Sequence, residues 1–321
     1  MKLAPNVYRF TTCYPDFENI PMAGFVLVGR DSNSLIDALI PQAIDQDLVP
    51  FLESLGKKLE DVDKVFVTHG HPDHVGGLGE IKSSNPEVQI YCSSTELNWV
   101  ENQETMWKDL FLRYPELALG DDAHDYVVNT LGGSPTRVTS SVSPGDVIDL
   151  GGLELVVIDA SGHTPGHVAF FERNNGLLFT GDSVQGNGIG FVNGNAALPP
   201  LYEDLAAYVR SIERMIELEP AVVLSAHHEP QRGERAIAFL RESIDLAMRV
   251  RELVAVQLAT SGTAASLMSV GRAIRGSIES QHAVEYRGEL QFLAIAEASL
   301  RSLSNDGLVV AHGDGTWSIA R

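Results

Sequence analysis

The sequence lacks any apolar run long enough to cross a membrane. A spanning helix needs about 20 consecutive apolar residues, and no stretch of the chain approaches that length. Residues 1–10 also lack the apolar run of a secretory signal peptide. We therefore expect a cytoplasmic protein that does not insert into membranes.

Cysteine and basic residues are also scarce. The two cysteines, Cys13 and Cys92, are too few for a disulfide framework, so we expect both to be small buried apolar side chains. Asp and Glu number 43 against 23 Lys and Arg, which gives a formal net charge of −20. That charge repels polyphosphate backbones, because non-specific nucleic-acid binding depends on basic side chains. Nucleic acids and anionic membranes are therefore disfavoured as partners, whereas a small-molecule substrate is not.

Strand and helix patterns alternate through the first part of the chain. Apolar and β-branched runs predict strands at residues 7–12, 24–28, 34–40, 62–67, 88–91, 137–141, 147–150, 153–159, 167–172, 177–180 and 221–224. Helices are predicted at residues 42–55, with a kink or a fresh helix start at Pro50, and at residues 97–114 and 204–218. Residues 120–135 and 183–200 have no period and are predicted to be loops, the second of them a lid or pocket wall.

Beyond about residue 235 the pattern becomes nearly all helical. The predicted elements are helices at residues 236–260, 266–274 and 285–303, then a hairpin of residues 307–311 and 316–320. We therefore divide the chain into residues 1–235 and a small helical, winged-helix-like domain of residues 236–321. Glutamates alternate with arginines in this tail, so no basic face stands out. A pocket lid or a homodimer surface is expected there rather than a DNA-binding surface.

The densest group of candidate ligands lies directly after a predicted buried strand. Residues 69–74 read His-Gly-His-Pro-Asp-His, and imidazole nitrogen and carboxylate oxygen are both ligands of zinc. Alternate residues at a strand end face the same way, so His69 and His71 can reach one metal together. Asp73 and His74 follow a turn and point elsewhere, toward a second metal.

Three other predicted strands end in the same way. The side chains that follow them are His163, Asp182 and His227. Ligands at corresponding ends of several strands converge on one mouth of a sheet. A buried sheet rarely carries so many imidazoles without a metal, because unpaired buried polar groups are costly.

Together these motifs resemble those of the metallo-β-lactamase superfamily. The matching pieces are His-x-His-x-Asp-His, Gly-His-Thr-Pro-Gly-His, Gly-Asp and a late His, in this order over roughly residues 5–235. The resemblance implies an α/β (α+β) fold, a four-layer αββα sandwich, here followed by the small C-terminal helical domain. It also implies two divalent metal ions, with zinc the first choice and iron or manganese the alternatives. The implied ligands are His69, His71 and His163 for one ion, Asp73, His74 and His227 for the other, and Asp182 for both.

Two departures from the family pattern bear on the site. The late motif, commonly Gly-His-Gly, reads Ala-His-His here, and we favour His227 over His228 as the ligand. The early strand usually ends in Asp-x-Gly but lacks the Gly, so Asp37 is predicted to support the His69 loop through a different turn. His167 is predicted to form hydrogen bonds beside the site. The histidines expected to be ordinary surface or core residues are His124, His282 and His312.

Residues 183–202 and the C-terminal helices are predicted to select the substrate. Tyr202 is a candidate for hydrogen bonding a substrate oxygen, as tyrosines do in some lactonases of the superfamily, although a tyrosine packed at the start of the next helix fits equally well. Trp99 and Trp107 either wall the pocket or pack in the core. An apolar or acyl substrate is favoured over a polyphosphate by the apolar residues Phe191, Val192, Leu198 and Leu201.

The resemblance implies hydrolysis of a small ester-type carbonyl compound: a thioester, a lactone or a related acyl bond. A divalent ion lowers the pKa of bound water to about 7, so a hydroxide bridging two ions would attack the carbonyl carbon. Asp73 is predicted to accept the proton of the attacking water and later pass it to the leaving group. Ligand histidines must be neutral, so activity is predicted to fall below about pH 6.

Other functions remain open at this point. The helical tail resembles that of β-lactamase-like protein 2 relatives, which suggests a single-stranded RNA endonuclease, and that of the quinolone-signal response protein, which suggests a thioesterase. The acidic charge and the lack of a basic stripe weigh against the ribonuclease. An iron-dependent oxygenase of the persulfide dioxygenase kind uses one iron, whereas the full ligand set here favours two ions and hydrolysis. A β-lactamase and a non-enzymatic ligand sensor are further alternatives.

Overall fold

Two β-sheets pack face to face at the centre of the molecule. The computed structural model describes residues 1–15, 20–193, 196–279 and 288–320. Aromatic side chains from both sheets meet in the space between them. The ring centroids of Phe25 and Phe179 are 4.9 Å apart, and those of Phe66 and Phe170 are 5.7 Å apart. These rings, with the buried aliphatic side chains around them, hold the two sheets together.

In the described part of the chain, the strands of the first sheet lie side by side in chain order. They are β1 (Lys2–Ala4), β2 (Val7–Cys13), β3 (Pro21–Val28), β4 (Asn33–Ile36), β5 (Val62–Phe66), β6 (Gln89–Ser93) and β7 (Ser140–Val142). The strands from β1 to β4 pair antiparallel, whereas those from β4 to β7 pair in parallel. The parallel half therefore places the carboxyl ends of β4, β5 and β6 at one edge.

Within the described residues, the second sheet has six strands. They are β8 (Val147–Asp149), β9 (Glu154–Asp159), β10 (Val168–Glu172), β11 (Leu177–Gly181), β14 (Val222–Ser225) and β15 (Gln231–Arg232), in the order β15-β14-β11-β10-β9-β8. Smaller sheets are formed by β12 (Ile189–Gly190) with β13 (Ala196–Leu198), and by β16 (Ala265–Ser266), β17 (Val309–Ala311) and β18 (Thr316–Ile319). Since β11 and β14 are parallel, their carboxyl ends also share one edge.

Helices cover the outer faces of both sheets. The α-helices are α1 (Pro41–Ala43), α2 (Val49–Ser54), α3 (Pro72–Val75), α4 (Leu78–Ser84), α5 (Leu97–Glu101), α6 (Gln103–Leu110), α7 (Asp121–His124), α8 (Leu205–Glu217), α9 (Glu234–Ser261), α10 (Leu267–Glu279) and α11 (Glu289–Asn305). The 3-10 turns are Leu59–Asp61, Phe111–Arg113 and Pro115–Leu117, and the π-helical turns are Ile44–Leu48 and Asp125–Leu131. The first sheet packs its outer face against the early helices, and the second packs against α8 and α9. The layers thus follow the αββα order that the family resemblance implied.

The C-terminal helices share a core with the helix that covers the second sheet. Phe239 of α9, Tyr208 of α8 and Leu300 of α11 belong to one buried apolar cluster. The predicted hairpin is present as β17 and β18, which pair antiparallel. The boundary between residues 1–235 and 236–321 stays a prediction. Part of the predicted helix, residues 285–287, and His282 lie outside the described residues.

Two expectations from the sequence are corrected. Cys13 is exposed, because it ends β2 on the outward side, whereas Cys92 is buried as predicted. Residues 120–135 were expected to be a loop, but α7 and a π-helical turn form there because Val127 and Leu131 are buried. Pro50 lies in the first turn of α2, which begins directly after a π-helical turn, so the fresh helix start that the sequence allowed is present. No helix in the described ranges is long and apolar enough to span a bilayer.

Candidate metal centre

The predicted ligands converge at one edge of the two sheets. The loop after β5 carries His69, and the loops after β9, β11 and β14 bring His163, Asp182 and His227 to the same place. These residues are between 0% and 4% exposed. The side chains that the structure brings together are His69, His71 and His163 in one group and Asp73, His74, Asp182 and His227 in another.

The first group is a triangle of imidazole nitrogens. His69 Nε2 lies 3.0 Å from His71 Nδ1, and His163 Nε2 lies 3.2 Å and 3.1 Å from these two atoms. Ligands about 2.1 Å from a tetrahedral zinc ion are about 3.4 Å apart, close to this spacing. The triangle therefore has the size of one face of a metal coordination sphere.

The second group places two carboxylates between two imidazoles. His227 Nε2 lies 3.4 Å from Asp73 Oδ2 and 3.3 Å from Asp182 Oδ2, and His74 Nε2 lies 3.6 Å from Asp73 Oδ2 and from Asp182 Oδ1. Asp182 Oδ2 is also 3.9 Å from His163 Nε2 of the first group. Asp182 is thus positioned to reach both groups, as the bridging role requires.

Hydrogen bonds on the far side of the rings aim the imidazoles. The Nδ1 atom of His163 bonds to the carbonyl of Leu201 at 2.7 Å, and that of His227 bonds to the carbonyl of Pro21 at 2.8 Å. A ring that donates from Nδ1 presents the lone pair of Nε2 to the cluster. Such outer hydrogen bonds fix the tautomer and orientation of metal-binding histidines.

The atoms that face the cluster fit a cation. Among the described residues, His74 Nε2, His227 Nε2 and Asp182 Oδ1 are buried without a hydrogen-bond partner, a costly arrangement that metal coordination would relieve. Burial lowers the pKa of His227, but Asp182 and Asp73 outweigh burial and raise it to about 10. The two carboxylates therefore create a strong local preference for positive charge.

Two buried acids hold the ligand loops in place. Asp37 accepts hydrogen bonds from the Thr68 amide at 2.8 Å and from His74 Nδ1 at 2.9 Å, which confirms its predicted support of the His69 loop. Its φ of +61° is the different turn that the missing glycine implied. Glu96 accepts from the Gly70 amide at 2.9 Å and the Gly166 amide at 2.7 Å. Glu96 thus ties the loop of His69 to that of His163, a role that no motif in the sequence indicates.

A cavity of about 710 Å³ opens above the ligand groups. Tyr14 and Gln185 reach into it beside the ligands, and neither was singled out from the sequence. The Tyr14 hydroxyl donates to Asp73 Oδ2 at 2.5 Å, and its ring stacks on His227 with centroids 6.2 Å apart. The Gln185 amide donates to Asp182 Oδ2 at 3.1 Å, and its oxygen accepts from the Leu201 amide at 2.9 Å. These contacts link the cavity wall to the ligands.

Tyr202 does not reach the cavity. Its side chain is fully buried, its ring lies 5.0 Å from that of Tyr208, and it is not among the described residues that line the cavity. This placement contradicts the prediction that Tyr202 contacts substrate, because it packs just before α8 in the core. Leu198 and Leu201 do line the cavity, whereas Val192 is 65% exposed.

Trp99 and Trp107 pack against neighbouring rings and do not line the cavity. Trp107 stacks on Phe111 with centroids 4.9 Å apart, and Trp99 stacks on His71 at 6.1 Å. Neither tryptophan is among the described residues that line the cavity. His167 accepts a hydrogen bond from the Asp182 amide at 3.2 Å, as predicted for a histidine beside the site.

The other histidines stay outside the cluster. His228 packs against the ring of Phe239 with centroids 4.9 Å apart, so His227 is the histidine of the late motif that joins the ligand group. His124 pairs with Glu104 at 2.7 Å, and His312 is exposed. Both are ordinary histidines, as predicted.

The fold and the site define the class of protein. A family model described as the metallo-beta-lactamase superfamily matches residues 23–227, and the chain belongs to this superfamily. Its sequence is 31% identical over 222 residues to the probable metallo-hydrolase YqjP of Bacillus subtilis (strain 168), covering 66% of this chain and 68% of that protein. It is 25% identical to the hydroxyacylglutathione hydrolase of Gloeobacter violaceus, covering 78% of this chain and 81% of that protein.

Solved structures agree on the fold. A metallo-beta-lactamase family protein from Thermus thermophilus superposes over 100% of both chains with a TM-score of 0.77 at 19% identity. A beta-lactamase domain protein from Burkholderia ambifaria covers 100% of this chain and 93% of that chain, with a TM-score of 0.69 at 22% identity. The similarity therefore extends through the C-terminal helices.

Proposed function

We propose that this chain is a binuclear metal-dependent hydrolase that cleaves a small ester-type carbonyl compound, with thioesters the favoured substrates. The observation that carries the proposal is the pair of ligand groups, joined by Asp182, on the floor of a cavity. Zinc is the first choice of metal, because both groups offer imidazole nitrogen and the second adds carboxylate oxygen. The metal-binding roles proposed are those of His69, His71, Asp73, His74, His163, Asp182 and His227.

The chain's own residues suit the hydrolysis of an acyl bond. Two bound divalent ions would supply a nucleophile derived from water near neutral pH and would polarise the substrate carbonyl. Asp73, oriented by the Tyr14 hydroxyl, is the proposed acceptor of the water proton and its donor to the leaving group. The apolar side chains around these carboxylates lower the local dielectric, which strengthens electrostatic interactions inside the cavity.

Two features favour a thioester or lactone over RNA. Several relatives bear the name hydroxyacylglutathione hydrolase, which supports an acyl substrate for this chain. The beta-lactamase-like protein 2 homolog of Drosophila melanogaster is also a relative, at 24% identity over 70% of this chain and 65% of that protein. The net charge of −20 opposes the binding of a polyphosphate chain. A small-molecule partner and no nucleic acid are therefore proposed.

The test combines metal analysis with a substrate panel. Purified protein should bind two equivalents of zinc and hydrolyse members of a panel of acylglutathione, acyl-N-acetylcysteamine and lactone substrates. A His163→Ala variant should lose both activity and metal, whereas His312→Ala, which changes an exposed histidine, should retain both. Cleavage of single-stranded RNA alone, or a single iron with oxygen consumption, would replace this proposal with one of the alternatives.

A further inference from the structure

We propose that the substrate joins an apolar acyl group of medium chain length to an uncharged leaving group. This inference rests on the proposed function and narrows it to a substrate class. The cavity supports it through two properties: an apolar chamber beside the ligand groups, and the near absence of uncompensated positive charge among the described residues that line it.

Two separate parts of the chain build the apolar chamber. Leu110, Phe111 and Val127 come from the helical segment between β6 and β7, and Leu290 comes from α11. Leu110, Val127 and Leu290 are each no more than 9% exposed and pack in one apolar cluster with Leu201. Packing therefore holds the side chains that line the chamber, and their apolar surface suits an apolar acyl group better than a polar one.

The size of the cavity sets the scale of the acyl group. Its volume of about 710 Å³ lies within the range of roughly 300–1,000 Å³ that is typical of sites for drug-sized ligands. An acetyl or lactoyl group would leave most of the apolar wall without contacts. A medium-length chain would bury that wall, and each buried methylene adds binding free energy.

The charges on the wall argue against an anionic leaving group such as coenzyme A. Among the described lining residues other than histidines, Arg275 is the one cation, and it pairs with Glu289 at 3.5 Å. Phosphate recognition relies on charge-assisted donors that are free to turn to the ligand. The formal charge of −20 further opposes a multiply charged substrate.

The proposed step is balanced by water alone. Water adds to the acyl carbon, the bond from that carbon to sulfur or oxygen breaks, and the leaving group takes up a proton. The products are a carboxylate and a neutral thiol or alcohol, with one proton released to solvent.

The first experiment compares acyl N-acetylcysteamine thioesters from two to ten carbons on the zinc-loaded protein. We expect kcat/KM to rise by up to about fourfold per methylene until the chamber is filled. Octanoyl-N-acetylcysteamine should also exceed octanoyl-coenzyme A in kcat/KM. A preference for acetyl, or for the coenzyme A thioester, would overturn the inference.

A matched pair of variants tests where the acyl group of the substrate binds. Ala123 of α7 lines the chamber, and Ala123→Phe should shorten it, raising the acetyl-to-octanoyl ratio of kcat/KM about tenfold or more. Leu112 lies on the same segment with 49% exposure, and Leu112→Phe should leave the ratio unchanged. An unchanged ratio in a folded Ala123→Phe protein would overturn the placement.

A binding measurement separates the two proposals. Decanoate should raise the Tm of the parent protein and raise it less in Ala123→Phe, whatever the catalytic rate. If acetyl thioesters are hydrolysed without any length preference, the chamber inference fails and the hydrolase proposal stands. If the zinc-loaded protein hydrolyses no thioester, ester or lactone, both fail.

Discussion

Tyr14 links the cavity wall to the ligand Asp73. Tyr14→Phe keeps the ring that stacks on His227 and removes only the hydroxyl that donates to Asp73 Oδ2. A hydrogen bond to a charged group contributes about 1.5–3 kcal/mol, so we expect kcat/KM to fall about tenfold or more. Because Tyr14 is not a proposed ligand, the metal content should stay the same. Steady-state kinetics and metal analysis of one preparation measure both.

The control for this change is a tyrosine away from the site. The Tyr91 hydroxyl donates to the exposed Gln89, so Tyr91→Phe should leave kcat/KM unchanged. If Tyr14→Phe turned over substrate as fast as the Tyr91→Phe protein, the hydroxyl of Tyr14 would have no part in the reaction.

The two cysteines should differ in reactivity and in its dependence on pH. The thiolate is the reactive form, and the partial burial of the Cys13 thiol together with Asp47 raises its pKa, so its reaction should be slow at pH 7 and accelerate toward pH 10. Burial, with Glu96 and Glu101, raises the pKa of Cys92 to about 12. A thiol-reactive disulfide reagent should therefore modify one thiol in the native protein and two after denaturation.

Single substitutions assign these two thiols. Cys13→Ser should abolish the native reaction, and Cys92→Ser should remove only the thiol that appears on unfolding. Fast native modification of Cys92 would contradict its burial in the core beneath the first sheet.

At the level of single residues, the sequence indicated the candidate metal ligands but not the side chains that hold them in position. His69 and Asp73 lie in a compact motif whose residue types already indicate metal binding. Tyr14 and Glu96 have no such motif, because their roles depend on partners 59 and 70 residues away in the chain. Only the folded chain brings these groups together.

Among the elements, α3 carries the proposed ligand His74 and packs tightly against the π-helical turn that lines the cavity. Gly76 follows this helix, and a Cβ there would lie 1.9 Å from the carbonyl oxygen of Leu131. Gly76→Ala must push apart α3, which carries His74, and the π-helical turn that walls the cavity. Overpacking of this kind typically costs about 1–3 kcal/mol, so we expect a lower free energy of unfolding in urea and weaker metal binding.

Gly120 offers the matched glycine. A Cβ at Gly120 would meet no atom within 4 Å, and it lies just before α7. Gly120→Ala should therefore change the free energy of unfolding by less than about 0.5 kcal/mol. Equal stability of the two variants would show that α3 and the turn can separate freely.

Elements that the local sequence specifies were predicted correctly, whereas a segment that depends on tertiary packing was not. The strands that lead to ligands, β5, β9, β11 and β14, were predicted from short buried apolar runs, because a run of that kind specifies a strand locally. The helical segment of residues 121–131 was predicted as a loop. Gly120 and the pair Gly132-Gly133 favoured a loop there, although Ala123, Val127 and Leu131 recur at the helical spacing of four residues. The π-helical turn also depends on packing against the helices around it.

For the whole molecule, acidity and metal binding are connected. The protein carries a formal charge of −20, and Asp73 and Asp182 are buried within it. Burying carboxylates is costly unless a cation compensates them. Metal ions bound in the cluster would therefore stabilise the fold as well as the reaction.

Removal of metal should destabilise the protein. A ligand present at a thousand times its Kd stabilises the folded state by about 4 kcal/mol, so treatment with a chelator should lower the Tm by roughly 8 °C or more. Adding zinc should restore both Tm and hydrolysis. Scanning calorimetry of zinc-loaded, chelated and reloaded protein measures the change.

Variants of the two adjacent histidines test whether zinc raises the Tm by binding at the proposed site. His227→Gln removes a member of the ligand group and should reduce the shift produced by zinc, whereas His228→Gln alters a ring packed on Phe239 and should keep it. If the two variants responded alike, the stabilisation would come from zinc bound elsewhere on the acidic surface. If only His228→Gln lost the response, His228 would be the ligand. A loss confined to His227→Gln would connect the stability of the whole fold to the edge where β14 meets the ligand loops.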